Sequence, residues 1–349
     1  MKKLLNITEP FFPIIEVNGT PFEMGYQHGV QLSNTIQKYL IWIEKLTQMS
    51  LGTLSDHAKK FIPLLKEFSP SYFEEMKGLA KGANLTIEEA ALCQLRAEAV
   101  HKIDGGCTAF AIKGDATVDG NVIAGQNQDL SSEYTDIAVI IKINPQKPIP
   151  KSILFTFAGQ LGYAGMNNAG IAQFANSLYD FKWESGISHY PLRRAFLEQT
   201  NTTDCLNIIQ KTPICSAANV LIVDKQNNIL DVEILPGKNQ NAIIEEKSKV
   251  LIHTNHYLSK KYIKRQTELP DSPYRLNRME YLINEKWGTI DTNVMKNILA
   301  DHENNPSGIC RHGANDMHSI SGYIAEPSKH LFHIRYGHGC TGTWKTFTI

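Results

Sequence analysis

The sequence has no surplus of charge of either sign, because its 35 Lys and Arg residues balance its 35 Asp and Glu residues. Proteins that bind nucleic acid or anionic membranes through their overall charge need a basic excess, so neither partner is expected. The chain also lacks an apolar run of the roughly 20 residues that cross a bilayer, so we expect no membrane span. Polar residues interrupt the apolar stretch at the amino terminus before a signal-peptide core forms, which favours a cytoplasmic protein.

Cysteine is scarce and scattered. The six cysteines never occur in CxxC spacing, which argues against a disulfide framework and against a zinc ribbon, and most are expected to be buried thiols. They are Cys93, Cys107, Cys205, Cys215, Cys310 and Cys340. Repeats, low-complexity linkers and phosphate-binding glycine motifs are also missing. We therefore predict a single domain over residues 1–349.

Helical patterns occupy the first third of the chain. A capping hydroxyl at Thr20, followed by Pro21 and Glu23, predicts a helix that runs to about Met49. The same capping logic predicts a second helix from residue 87 to about residue 101.

Strand patterns begin at Cys107, and further helical patterns are interleaved among them later in the chain. The predicted strands cover 108–113, 122–126, 137–143, 153–157, 171–175, 219–223, 229–235, 320–325 and 331–336. Later helices are predicted at 191–199, 203–210, 273–286 and 292–302. This order indicates an α+β fold with mostly antiparallel sheets.

The junction between the two regions joins Gly105 and Gly106 to Cys107. Glycine leaves its carbonyl unshielded, so the thiol of the next residue can attack it. An N-to-S acyl shift and hydrolysis would then cut the chain after Gly106 and free an α-amine on Cys107. That amine has a pKa of about 7.7 to 8.0 and can act as the base for the thiol. Taken alone, the motif is better explained as a glycine turn beside a buried cysteine.

Several other short motifs follow one another along nearly the whole chain. They are Gly19-Thr-Pro-Phe-Glu-Met-Gly25 with Gly29, Gly106-Cys107-Thr108, Gly125-Gln-Asn-Gln-Asp129, Gly165-Met-Asn-Asn-Ala-Gly170 leading to Asn176, His253-Thr-Asn-His256, Ile309-Cys-Arg-His312 and Gly337-His-Gly-Cys340. In this order they resemble the acyl-CoA:6-aminopenicillanate (isopenicillin N) acyltransferase family, cysteine members of the N-terminal nucleophile (Ntn) hydrolases. The chain departs from the family pattern at two points. Gln128 stands in place of the usual tryptophan, and the usual Gly-Asn-Pro-Cys ending reads Gly-His-Gly-Cys. We expect both departures to affect the shape of the pocket rather than the core chemistry.

The resemblance implies a four-layer αββα sandwich with the nucleophile at the start of a central strand. It also implies autocatalytic cleavage of an inactive precursor (zymogen) between Gly106 and Cys107. The products would be an α chain of residues 1–106 and a β chain of residues 107–349 that stay associated.

The resemblance also implies roles for individual residues. Cys107 would be the nucleophile, and Asp129 would accept a hydrogen bond from the new amine and orient it. Asn255 would donate its side-chain amide to the tetrahedral oxyanion, a type of contact worth about 3 kcal/mol. Arg311 would organise the site electrostatically. Asn176 is the second candidate donor.

Some alternatives stay open. Ser319 or Ser321 could take the place of Arg311, since gaps in that part of the match would shift the alignment. A zinc hydrolase could be built on His253-x-x-His256, completed by Cys310 or His312, although the segment lacks the HExxH frame. A histidine could also act as the base for the thiol, as in papain-like enzymes.

The combined interpretation is a self-processing amidase. It is expected to attack a linear amide, or a related thioester, in a small N-acylated amine or amino acid through an acyl-enzyme. Water or a second amine then accepts the acyl group, with acyl-CoA as the donor if transfer dominates. No metal or organic cofactor is expected, and assembly into a homo-oligomer stays open. The rival from another class is an uncleaved, non-catalytic binding protein of the same fold.

Overall fold

The computed structural model describes residues 10–95, 105–146, 148–179, 183–244, 249–265 and 269–349. The α-helices in these ranges are α1 (Pro21–Thr47), α2 (Leu51–Ala58), α3 (Phe61–Phe68), α4 (Pro70–Ala83), α5 (Ile87–Leu92), α6 (His189–Phe196), α7 (Thr202–Lys211), α8 (Asp271–Glu285) and α9 (Thr292–Ile298). The strands are β1 (Ile14–Gly19), β2 (Gly106–Gly114), β3 (Gly120–Leu130), β4 (Ala138–Pro145), β5 (Ser152–Phe157), β6 (Ala164–Asn167), β7 (Ala172–Ser177), β8 (Ala218–Val223), β9 (Ile229–Ile234), β10 (Asn241–Ile244), β11 (Val250–His253), β12 (His318–Glu326), β13 (Leu331–Tyr336) and β14 (Thr343–Thr348). Among the described residues, no helix is both long and apolar enough to span a bilayer.

The strands form two sheets. The larger sheet has the order β1-β4-β5-β6-β7-β8-β9-β10, and the smaller has the order β11-β2-β3-β12-β13-β14. The pair β1 and β4 is parallel, whereas the neighbours from β4 to β10 and from β11 to β14 run antiparallel. The prediction of mostly antiparallel sheets is therefore confirmed.

The alternation of side chains along β2 shows how the layers stack, because successive strand residues point to opposite faces of a sheet. Ala109 and Ala111 pack into the large core shared with the eight-stranded sheet and helices α1 to α7. Phe110 and Ile112 pack into a second core with helices α8 and α9. The six-stranded sheet is thus covered on both faces, and the predicted four-layer αββα sandwich is confirmed.

Helices α1 and α4 make a close contact through glycines. A Cβ on Gly25 would overlap the carbonyl oxygen of Glu75, and a Cβ on Gly78 would overlap that of Phe22. The motif glycine Gly25 therefore lets two helix backbones touch, and its role is packing rather than chemistry.

We expect the substitution Gly78→Ala to lower the free energy of unfolding by about 1 to 3 kcal/mol, because the added methyl group forces the two helices apart. The control is Gly52→Ala in α2, where a Cβ meets only the Ser50 hydroxyl at 3.9 Å. At that position the better helix propensity of alanine predicts that the free energy of unfolding rises by about 0.5 to 1 kcal/mol. Urea unfolding of both variants measures the difference. Equal effects at the two glycines would contradict the packing role.

The predicted helix starts are confirmed at Thr20 and Thr86, each of which forms a capping box with the glutamate three residues later. The second helix ends at Leu92 within the described residues, and the remainder of its predicted span includes residues 96–101, which lie outside them. The predicted hairpin of β8 and β9 is confirmed. Strands β1, β6, β10, β11 and β14 were not predicted.

Candidate active site

Cys107 is the second residue of β2, and the strand places it between two neighbours in the sheet. It lies opposite Gln128 of β3 on one side, and two residues further along, Ala109 pairs with His253 of β11 on the other. The Cys107 side chain is 2% exposed. Gly105, just before the strand, has φ of +115°, a conformation that favours glycine.

Each reactive group of Cys107 has a partner. Its backbone N–H donates to Asn255 Oδ1 at 2.8 Å. Its carbonyl oxygen accepts from Arg275 Nη1 at 2.7 Å, and Gln128 Nε2 lies 3.3 Å from Sγ as a donor. The nitrogen, carbonyl and sulfur of the predicted nucleophile are therefore all fixed in position.

Burial, together with the nearby Asp129 carboxylate, raises the pKa of the Cys107 thiol to about 11 from its ordinary value of 9.0. A thiol with this pKa is protonated at neutral pH. In the uncut chain the sulfur is therefore a weak nucleophile, and it needs a base to take its proton.

Arg275, in the second turn of α8, is a site residue that the sequence did not single out. Its guanidinium is buried and donates to Thr108 Oγ1 and Asn255 Oδ1, both at 2.8 Å, as well as to the Cys107 carbonyl. Its Nη2 also pairs with Asp271 Oδ2 at 3.1 Å. The only signal in the sequence is an Asp and Arg pair four residues apart, a spacing that usually marks a surface ion pair.

Asp129 is buried at the start of a small polar network. Its Oδ1 accepts from Ser319 Oγ at 2.6 Å, and its Oδ2 lies 3.8 Å from Arg311 Nε. Burial raises the pKa of the Asp129 carboxyl, while the guanidinium groups of Arg311 and Arg275 oppose that shift. In the uncut chain the Cys107 nitrogen is held by Asn255, and Asp129 lies opposite Gly106 in the ladder.

The structure places Arg311 beside Gly106. Its guanidinium forms an ion pair with Asp271, and its Nη1 lies so close to Gly106 that a Cβ there would approach it to 2.8 Å. The two alternatives to Arg311 have other roles: Ser319 binds Asp129, and Ser321 donates to the Arg335 carbonyl at 2.7 Å.

The two predicted amide donors are both buried. Asn255 Nδ2 donates to the Ser177 carbonyl at 3.0 Å, while its Oδ1 faces Cys107. Asn176 Nδ2 donates to the His253 carbonyl at 3.2 Å, so it is tied to the segment that precedes Asn255. The structure therefore brings Asn255 into contact with Cys107, whereas the Asn176 amide contacts His253, two residues before Asn255.

A cavity of about 200 Å³ opens at the Gly106–Cys107 junction. Its walls include Gly105, Gly106, Asn255, Arg275 and Arg311. Two guanidinium groups, the Asp271 carboxylate that pairs with both of them, and an amide thus line the same small space. Guanidinium groups can also pair with an oxyanion or with the carboxylate of a substrate.

The structure places the two departures from the family pattern at different sites. Gln128 contacts the Cys107 sulfur itself, so this departure lies beside the predicted nucleophile. In the Gly-His-Gly-Cys ending, His338 stacks on His312 with ring centroids 4.1 Å apart, and Cys340 Sγ lies 3.4 Å from His312 Nε2. That ending therefore contributes to a separate cluster and does not line the cavity.

The zinc centre imagined on His253 and His256 is wrong. His253 Nε2 lies 3.3 Å from Glu233 Oε1, and His256 Nδ1 lies 2.8 Å from the Ser272 hydroxyl. Among the described residues, neither histidine belongs to a group that could hold a metal ion.

The chain is similar to several known proteins. A profile of the family described as acyl-coenzyme A:6-aminopenicillanic acid acyl-transferase matches residues 116–337. The 40 kDa form of acyl-coenzyme A:6-aminopenicillanic-acid-acyltransferase from Emericella nidulans is 28% identical over 308 residues, covering 85% of this chain and 84% of that protein. Beta-alanyl-dopamine/carcinine hydrolase from Drosophila melanogaster is 22% identical over 253 residues, covering 64% of this chain and 65% of that protein. A solved variant of conjugated bile acid hydrolase from Clostridium perfringens has a TM-score of 0.48 and 12% identity, covering 70% of this chain and 97% of that chain.

Proposed function

Because the chain belongs to the acyl-coenzyme A:6-aminopenicillanic acid acyl-transferase family, we propose that it is a self-processing cysteine amidohydrolase or acyltransferase. The chain is cut between Gly106 and Cys107, and residues 1–106 and 107–349 stay associated. The processed enzyme attacks linear amide bonds of small N-acylated amines or amino acids through an acyl-enzyme on Cys107. The observation that carries the proposal is the fixed nitrogen, carbonyl and sulfur of Cys107 beside a cavity that reaches Gly106.

The cut proceeds in two steps. The Cys107 thiol gives its proton to water or hydroxide, the sulfur bonds to the Gly106 carbonyl carbon, and the bond from that carbon to the Cys107 nitrogen breaks as the nitrogen takes a proton from water. Water then hydrolyses the thioester, which leaves a Gly106 carboxylate, a free thiol and a free α-amine. The guanidinium of Arg311 beside Gly106 stabilises the negative charge that develops on the oxygen.

In the processed enzyme the new α-amine is the general base for the thiol, because its ordinary pKa of about 7.7 to 8.0 suits proton transfer near neutral pH. Asn255 Oδ1 already accepts a hydrogen bond from this nitrogen. The cut adds further N–H hydrogens to the nitrogen, and Asp129, which lies opposite Gly106 in the ladder, accepts a hydrogen bond from one of them.

The oxyanion of the substrate needs donors of its own. The first donor is Asn255 Nδ2, which must give up its hydrogen bond to the Ser177 carbonyl in order to donate to the oxyanion. Asn176 Nδ2 is the second, exchanging the His253 carbonyl in the same way. Amide donors of this kind are each worth about 3 kcal/mol of transition-state stabilisation.

The lining of the cavity favours an N-acyl amino acid over an uncharged amide. The planar guanidinium of Arg311 pairs well with a carboxylate, and its Nε has no hydrogen-bond partner among the described side chains. The similar proteins carry the names of a transferase and a hydrolase, so either an amine or water is a reasonable acyl acceptor. No organic cofactor is needed for either route.

The rate of self-cleavage is expected to rise with pH. Because the pKa of the Cys107 thiol is raised to about 11, the thiolate fraction grows about tenfold for each pH unit and continues to grow past pH 9. Mass spectrometry of freshly synthesised chain, sampled over time from pH 6 to 9.5, measures the rate. A plateau at or below pH 9, where an ordinary thiol ionises, would contradict the buried-thiol account.

Intact-mass measurement tests the proposal directly. The enzyme interpretation expects two pieces whose masses add to the full chain plus water, with the larger piece beginning at Cys107. A panel of N-acyl amino acids and N-acyl amines, supplied to the processed protein, then identifies the substrate class by release of the free amine. An uncut chain that binds such amides without turning them over would establish the rival binding protein instead.

A further inference from the structure

Four side chains that commonly bind metals converge near the carboxyl end of α9. They are His302, Cys310, His312 and Cys340, and their ligand atoms all lie within 4.8 Å of one another. They come from three separate segments of the chain: one follows α9, one precedes β12 and one follows β13. None of the four residues lines the cavity at Gly106, and none is a reacting group in the proposed acyl transfer.

The spacing of the ligand atoms is close to that of a tetrahedral zinc site. Zinc bonds of about 2.0 Å to nitrogen and 2.3 Å to sulfur put neighbouring ligand atoms about 3.3 to 3.8 Å apart. His312 Nε2 lies 3.5 Å from Cys310 Sγ, 3.4 Å from Cys340 Sγ and 2.9 Å from His302 Nε2. The two nitrogens would have to separate by a few tenths of an ångström, and the other ligand atoms, which lie up to 4.8 Å apart, would have to close by about 1 Å at most.

The backbone around the cluster is fixed. The Cys310 N–H donates to the Asp301 carbonyl at 2.9 Å, which closes the loop between the first two ligands. Asn127 Nδ2, on β3, donates to the carbonyls of Leu299 and Ile309, both at 2.9 Å. Two ligands are therefore held near their positions by the sheet, which is typical of a preorganised site.

We propose that His302, Cys310, His312 and Cys340 bind one Zn²⁺ in a four-coordinate structural site. Two thiolates and two imidazoles form a donor set that zinc favours. Four protein ligands leave no open position for water or substrate, so the ion stabilises the fold and takes no catalytic part. Binding releases the two thiol protons. The sequence favoured no metal, because the cysteines lack CxxC spacing and the histidine segment lacks an HExxH frame, although Cys310 and His312 were weighed as ligands of a different zinc site.

The proposed zinc site would also limit the movement of Arg311 in the proposed active site. Arg311 lies between two of the ligands, Cys310 and His312, and its guanidinium faces Gly106. An ion that bonds to both neighbours limits how far the Arg311 backbone can move. The proposed zinc is therefore a positioning device for the arginine, at a distance from the reacting atoms.

Metal analysis of the purified protein tests the proposal. We expect one zinc per chain, and the variants His302→Ala and Cys340→Ser should each lower that content at least tenfold. His57→Ala, at an exposed histidine on α2, and His338→Phe, which keeps a ring against His312, should leave it unchanged. Full zinc content in both ligand variants, or its loss in His338→Phe, would overturn the ligand set.

Two further measurements do not depend on catalysis. Cobalt added to the chelator-treated chain should give the intense charge-transfer absorption of thiolate ligands, and Cys340→Ser should weaken it. Added zinc should raise the melting temperature of the parent chain by several degrees and leave that of Cys340→Ser unchanged. A disulfide between Cys310 and Cys340, seen by mass spectrometry of the chain as purified, would refute zinc binding. Because none of these readouts needs chain cleavage or turnover, the site can fail while the proposed function stands, and the reverse.

Discussion

Replacing Cys107 with alanine is expected to leave the protein as one uncut chain of about 39.1 kDa and to lower amide turnover by about 10⁴-fold or more. The substitution removes the single sulfur that, in the proposed mechanism, attacks both Gly106 and the substrate. It therefore stops both reactions at once, although the small change of volume leaves the strand intact.

The matched control is Cys205→Ala, at a buried cysteine on α7 that packs in the large core. This variant should be cut and should turn over substrate like the parent. Cys107→Ser gives an intermediate result, since a hydroxyl at the same place supports slower cleavage. Cleavage of the Cys107→Ala chain at the same peptide bond would show that another group performs the attack.

The second large effect is expected from Arg275→Lys. The arginine holds the Cys107 carbonyl, Thr108 and Asn255 at the same time, and lysine keeps the charge but loses the fork that reaches several acceptors. Hydrogen bonds to charged groups are worth about 1.5 to 3 kcal/mol each. Losing one or two of them should slow self-cleavage by about 100-fold.

The control for this change lies on the same helix. Arg278 pairs with Asp301 at 2.7 Å, away from the cavity, and Arg278→Lys should alter the cleavage rate less than twofold. Time courses of freshly synthesised chain, followed by mass spectrometry, compare the variants. Their near-ultraviolet circular dichroism should match the parent, which separates a chemical role from misfolding. Equal cleavage rates in both variants would remove Arg275 from the proposed mechanism.

Local signals in the sequence were sufficient for much of the fold. The capping box at Thr20 locates the start of α1, because hydroxyl and carboxylate partners lie within one turn of each other. The polar joint between β8 and β9 locates their hairpin for the same reason. In both cases the interacting residues are close in the chain.

Long-range pairing was not predictable in this way. Strand β11 has only four residues and pairs with β2 about 140 residues earlier in the chain, and nothing in its own composition identifies that partner. Arg275 was missed because its charge is buried only after α8 packs against the six-stranded sheet. The cluster of His302, Cys310 and Cys340 was missed because its members meet through the folded backbone.

The position of β1 has a consequence for the cut protein. This strand, from the first piece, completes an edge of the eight-stranded sheet by pairing with β4, from the second piece, and α1 packs into the same large core. A break at Gly106 would therefore turn an internal core into a subunit interface made of two polypeptides that have never been folded apart. The two pieces would fold together only as one precursor chain. After unfolding, no peptide bond would hold them together for refolding.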